Sequence, residues 1–111
     1  MNKIVRFATE RQPEVQPQDK ATVLDSLRST GICPDLFESL EARALIGQEK
    51  YGVMLQTDNG RNAMADSYQE GLDLVMYLRQ ADLEGKPRAG ALLMRAIALT
   101  EAIKSELEQY E

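Results

Sequence analysis

Apolar residues recur at steps of three and four along three long stretches of the chain, the spacing of amphipathic helices. In the first, over about residues 35–50, Leu36, Phe37, Leu40, Ala44 and Tyr51 share one helical face. Asp35 stands where an N-cap would, with Glu38 three positions on in the spacing of a capping box. Gly47 lies inside this helix and Gly52 follows as its stop. Residues 52–60 then read as a loop closed by Thr57-Asp58-Asn59-Gly60, a turn and cap sequence. The second helix is expected over roughly 60–83, broken by Gly85-Lys86-Pro87. The third, over about 88–109, repeats Leu92, Ala96, Leu99, Ile103, Leu107 and Tyr110. Leu93 and Ile97 fall off that stripe and are free to meet another subunit.

The N-terminal part is different. A short apolar piece, Ile4-Val5-Arg6-Phe7, precedes a polar stretch with Pro13 and Pro17, so residues 1–21 read as an extended arm or linker, one able to dock on a neighbouring subunit. A minor helix is expected over 22–28, with Val23, Leu24 and Leu27 on one side and Gly31 and Pro34 beyond its end. The expectation is an all-α antiparallel bundle over residues 22–111, with three long helices and one short one. Three long helices make a thin core, so a homodimer or higher oligomer should complete it.

Composition narrows the chemistry. A chain of 111 residues supports one domain. The absence of histidine removes Ser-His and Cys-His catalysis and most zinc or non-haem iron sites. A net charge of −5 argues against a binder of duplex DNA or RNA. The single Cys33 cannot form an internal disulfide, which fits a reducing cytoplasm. No apolar run is long enough for a membrane helix, and the N-terminus lacks an apolar signal core.

At 100° per residue, Asp66, Glu70, Asp73 and Tyr77 fall within a sector of about 60°. Leu74 and Leu78 flank that sector on one side, and Ala65, Leu72 and Met76 on the other. A narrow acidic strip on a largely apolar helix suggests acids turned toward an internal cleft. Three carboxylates at this spacing repel each other, so arginines or lysines neutralise them or a divalent cation does. Oxygen-only ligands favour Mg²⁺ or Mn²⁺. On the preceding helix, Glu38 and Glu41 form a second acidic pair, with Glu41 at the edge of the apolar face.

The E-x-x-E pair at Glu38 and Glu41, followed after 28 residues by E-x-x-D at Glu70 and Asp73, resembles the MazG-like all-α NTP pyrophosphatase superfamily. Gln48-Glu49-Lys50-Tyr51-Gly52, Gly60-Arg61-Asn62-Ala63 and the run from Asp66 to Asp73 are similar to its small phage and prophage members. Phe37 stands where the family's first motif usually has a second glutamate. The resemblance covers residues 36–80. It implies Mg²⁺-dependent hydrolysis of an NTP or dNTP to the monophosphate and pyrophosphate, in the cytoplasm of a bacterial host. On that resemblance Glu38, Glu41, Glu70 and Asp73 hold the metal, and Asp66 orients the attacking water. Lys50 and Arg61 contact phosphate, Tyr51 and Tyr77 stack on a base, and Asn62 reads a base edge or supports the helix start. Two other functions fit the residues: a non-catalytic phage protein that sequesters a nucleotide messenger, and a helical module that pairs with a host protein.

Overall fold

In the computed structural model, which describes residues 2–110, every regular element is helical. The helices are α1 (Lys3–Thr9), α2 (Val23–Ser26), α3 (Pro34–Tyr51), α4 (Ala63–Leu83) and α5 (Ala89–Leu107), with a 3₁₀ turn at Leu27–Ser29 after α2. The chain divides into two compact units. One joins residues up to Gln12 with those from Asn62 onward; the other is Pro13–Arg61. The N-terminal segment read as a single arm is thus shared between two units.

The first unit is built on an α4–α5 hairpin with α1 laid against it. Asn62 starts α4, its side-chain oxygen accepting from the Ala65 N–H at 3.0 Å. Close backbone approach fixes the pairing of the two long helices. A Cβ on Gly71 would lie 2.8 Å from Thr100 Oγ1, and one on Gly90 would lie 3.2 Å from an Asp82 carboxylate oxygen. Phe7, Ala65, Tyr68 and Leu107 form the buried cluster where α1 meets the hairpin, with Ile4, Leu72, Ile103 and Tyr110 packed around it. Polar contacts lock α1 in place. Gln69 Nε2 donates to the carbonyls of Phe7 (3.0 Å) and Glu10 (2.8 Å), and the Lys3 ammonium donates to the carbonyls of Glu108 (3.0 Å) and Tyr110.

Two expectations need correction here. Residues 3–9 are helical, with Asn2 as N-cap, although the apolar run is too short to announce a helix. A seven-residue helix is not stable alone, and burial of Phe7 supplies what the local sequence lacks. The register of α5 also differs from the expected stripe. Its buried face is Ala89, Leu93, Ala96, Thr100 and Leu107, so Leu93 points inward while Leu92 and Leu99 are exposed. Close contact with Gly71 and Asp82 selects small residues for the inner face, and the larger leucines turn out.

In the second unit α2 and α3 pack together, and residues 13–23 run along the loop that follows α3. Helix α3 begins one residue earlier than Asp35 would have it. Cys33 is the N-cap and Pro34 takes the first turn, where its missing N–H is harmless and its fixed φ suits a helix. The Asp35–Glu38 capping box therefore does not form; Asp35 sits in the first turn, where its charge still favours the helix end. Gly52 stops α3 in the left-handed conformation (φ 79°), its N–H donating to the Gln48 carbonyl at 2.8 Å.

Candidate functional site

Three of the expected substrate-binding residues meet at the C-terminal end of α3. The Lys50 ammonium lies 5.1 Å from the centroid of the Tyr51 ring, and the Arg61 guanidinium carbon lies 5.9 Å from the same centroid. Both distances fall in the cation–π range. Tyr51 remains 44% exposed, so its ring is available to a ligand. Lys50 comes from the last turn of α3, where its charge also offsets the negative helix end. Arg61 comes from the far end of the loop and must be brought back to the ring.

What brings it back is a polar clasp that the sequence did not reveal. Residues 13–23 hold the loop by a series of hydrogen bonds. Arg61 Nη1 donates to the Pro13 carbonyl at 3.1 Å, the Gln16 N–H to the Asn59 carbonyl at 2.8 Å, and the Val23 N–H to the Leu55 carbonyl at 2.9 Å. At its centre is Gln56, buried and fully used. Its oxygen accepts from the Gln18 N–H at 2.9 Å, and its amide donates to the carbonyls of Gln18 and Lys20, both at 2.7 Å. Buried Asn59 accepts from the Arg61 N–H at 3.1 Å, fixing the backbone of the residue that carries the guanidinium. At the rim, Lys20 Nζ bonds an Asp58 carboxylate oxygen at 2.6 Å, and that ammonium lowers the Asp58 pKa below the usual aspartate range. Pairs of glutamines and asparagines about 40 residues apart leave no periodic trace. The composition of the arm, rich in Gln and Pro, was the one hint available.

The carboxylates are differently placed. In the second unit Glu38 and Glu41 line an open hollow of about 390 Å³ with Leu27, Ile32, Pro34 and Phe37. Arg28 enters the same hollow. Its guanidinium lies 5.0 Å over the Phe37 ring, 3.2 Å from Asp25 and 3.9 Å from Glu41. An arginine thus sits beside Glu41, while Glu38 makes no hydrogen bond or ion pair among the described residues. In the first unit Glu70 and Asp73 are exposed on α4, and Asp66, half-buried, lies in its first turn. The buried side of α4 carries Ala65 and Tyr68 instead, so within this unit the acidic strip lies on open surface. Tyr77 is 67% exposed on the same helix, and the oxygen of Asn62 is engaged in capping.

The metal set implied by the resemblance takes Glu38 and Glu41 from one unit and Glu70 and Asp73 from the other. Among the described residues, no group of three or more Asp, Glu, Cys or His side chains is gathered as a metal ion would require. As placed, the residues do not fit the cation, and no catalytic step is derived through it. In comparisons with protein-family models, curated proteins and solved structures, nothing matches the chain. The family resemblance therefore rests on its sequence motifs. No helix among the described residues is long and apolar enough to cross a membrane.

Proposed function

We propose that the chain binds a nucleotide through Lys50, Tyr51 and Arg61. The observation that carries this reading is the convergence of two cations on one exposed aromatic ring. A guanidinium and an ammonium are the groups that take phosphate oxygens, the former through paired hydrogen bonds. An aromatic face beside them accepts a base by stacking, with little demand on its identity. The net charge of −5 disfavours long polyanions, so the ligand is a small nucleotide rather than a nucleic acid.

The resemblance extends this proposal to a member of the MazG-like superfamily, a phage or prophage protein acting in a bacterial cytoplasm. On that extension it releases pyrophosphate from an NTP or dNTP with Mg²⁺ or Mn²⁺, which needs Glu38, Glu41, Glu70 and Asp73 as ligands. Nucleotide binding without cleavage uses the same cations and ring and needs none of those four carboxylates. Of the two, binding is the part that the side-chain geometry supports. The proposal includes self-association into a homodimer or higher oligomer.

The test is a panel of NTPs, dNTPs and cyclic nucleotides with Mg²⁺, scored for both thermal shift and pyrophosphate release. A shift without release selects binding alone, and a shift with release selects the hydrolase. No shift and no release across the panel refutes both.

A further inference from the structure

We infer that the loop-proximal half of the α4–α5 hairpin is the surface on which a second copy of this chain docks. The inference takes up the self-association proposed above and assigns its face. It uses nothing from the nucleotide-binding proposal.

The two long helices form a groove of which α1 fills only one end. At 1.5 Å per residue, α1 spans about 10 Å and α4 about 31 Å. On α4, Ala65, Leu72, Met76 and Leu83 lie within about 40° of one another around the helix. Ala65 and Leu72 belong to the cluster around α1, whereas Met76 is 72% and Leu83 70% exposed. On α5, Leu92, Leu99, Ile103 and Tyr110 likewise share about 40°. Ile103 and Tyr110 pack at the α1 end, while Leu92 (46%) and Leu99 (59%) are bare. Each stripe therefore continues from a covered half to an uncovered one. The antiparallel register set by Gly71 against Thr100 and Gly90 against Asp82 puts both uncovered halves at the loop end.

Area and architecture point to a second copy as the occupant. Met76, Leu83, Leu92 and Leu99 together expose on the order of 400 Å² of apolar surface, large for one patch on a monomer. That is about half of what each partner buries in a standard interface. Helices need a second layer to bury a stripe, and two hairpins stacked face to face make the four-helix solution. Docking bare half on bare half about a twofold axis leaves both α1 helices outside the contact, with neither displaced.

The experiment is the solution mass of the full chain by light scattering or sedimentation, for wild type, Met76→Glu, Leu92→Glu and Val5→Glu. Wild type should show twice the 12.4 kDa chain mass. Either groove variant should weaken association at least tenfold while keeping its helical circular dichroism. Val5→Glu, at an exposed apolar position on α1, should leave the mass unchanged. A monomeric wild type overturns both this inference and the proposed self-association. An oligomeric wild type whose mass survives M76E and L92E overturns the assigned face alone.

Discussion

A Cβ added to Gly71 would fall 2.8 Å from Thr100 Oγ1, and that hydroxyl is itself buried and committed to the Ala96 carbonyl at 2.7 Å. Two effects compete in Gly71→Ala. Helix propensity favours alanine by about 1 kcal/mol. The contact is closer than side chains tolerate, and overpacking of this kind costs about 1–3 kcal/mol. The clash should win or at best cancel the gain, so G71A should not raise the melting temperature of the hairpin unit. Adding Thr100→Ala removes the obstructing hydroxyl, and the double variant should be more stable than the sum of the single changes implies. Thermal melts of the four-member cycle measure the coupling; strict additivity would show that the close approach carries no energy.

Gln56 should behave as the keystone of the loop clasp. Gln56→Leu keeps the volume but deprives the Gln18 N–H and the carbonyls of Gln18 and Lys20 of their partner. Leaving such groups unpaired costs about 1–3 kcal/mol where water cannot reach them. The expected result is faster amide exchange at Gln16, Gln18 and Val23, with exchange in α4 and α5 unchanged. Equal protection at Gln18 in wild type and Q56L would contradict the clasp.

The Lys20–Asp58 pair gives the clasp a pH dependence. Its sign follows from the lowered Asp58 pKa, caused first by the hydrogen bond from Lys20 and then by its charge. A carboxyl whose pKa is lower folded than unfolded contributes above its unfolded value, about 3.9, and loses that contribution as pH falls through the folded value. Loop exchange should therefore accelerate only below about pH 4, and salt should weaken the effect because the pair is exposed. Asp58 also sits at φ 55°, a conformation that asparagine tolerates. Asp58→Asn thus removes the charge without backbone strain, and it should abolish the acid-induced change in exchange.

The acidic strip of α4 separates binding from hydrolysis. Glu70 and Asp73 are exposed carboxylates three residues apart, and like charges at that spacing destabilise a helix by a few tenths of a kcal/mol. Asp73→Asn should therefore leave the melting temperature unchanged or slightly raised. Nucleotide affinity should survive it if the protein only binds. Metal-dependent pyrophosphate release, if wild type shows any, should vanish. Release that persists undiminished in D73N would remove Asp73 from the metal set.

Much of the architecture was legible because it is written in local signals. Gly52 ends α3 and Gly85-Lys86-Pro87 separates α4 from α5 much as their conformational preferences dictate. The failures have physical causes. The face of α5 was misread because the largest apolar residues, Leu92 and Leu99, drew the stripe. The interior instead selects Ala89, Ala96 and Thr100 for close helix approach. Helix α1 was missed because its stability comes from Phe7 and from Gln69 on α4, contacts that no short window contains. At the candidate site, Lys50, Tyr51 and Arg61 could be named from their positions around the loop. Their common ring contact depends on Gln56 and Asn59 pairing with the distant arm, which carries no periodic pattern. Asn62 was left between base reading and helix support; its oxygen is engaged in supporting the helix.

The most direct test of the central claim is the affinity of the intact protein for ATP and dATP by titration calorimetry, in wild type and in Lys50→Ala. Lys50 is exposed and, beyond its contact with the Tyr51 ring, makes no hydrogen bond or ion pair among the described residues, so K50A should fold normally. The account predicts saturable binding by wild type and affinity at least tenfold weaker in the variant. Wild type that binds neither nucleotide, or K50A that binds as tightly as wild type, would contradict it.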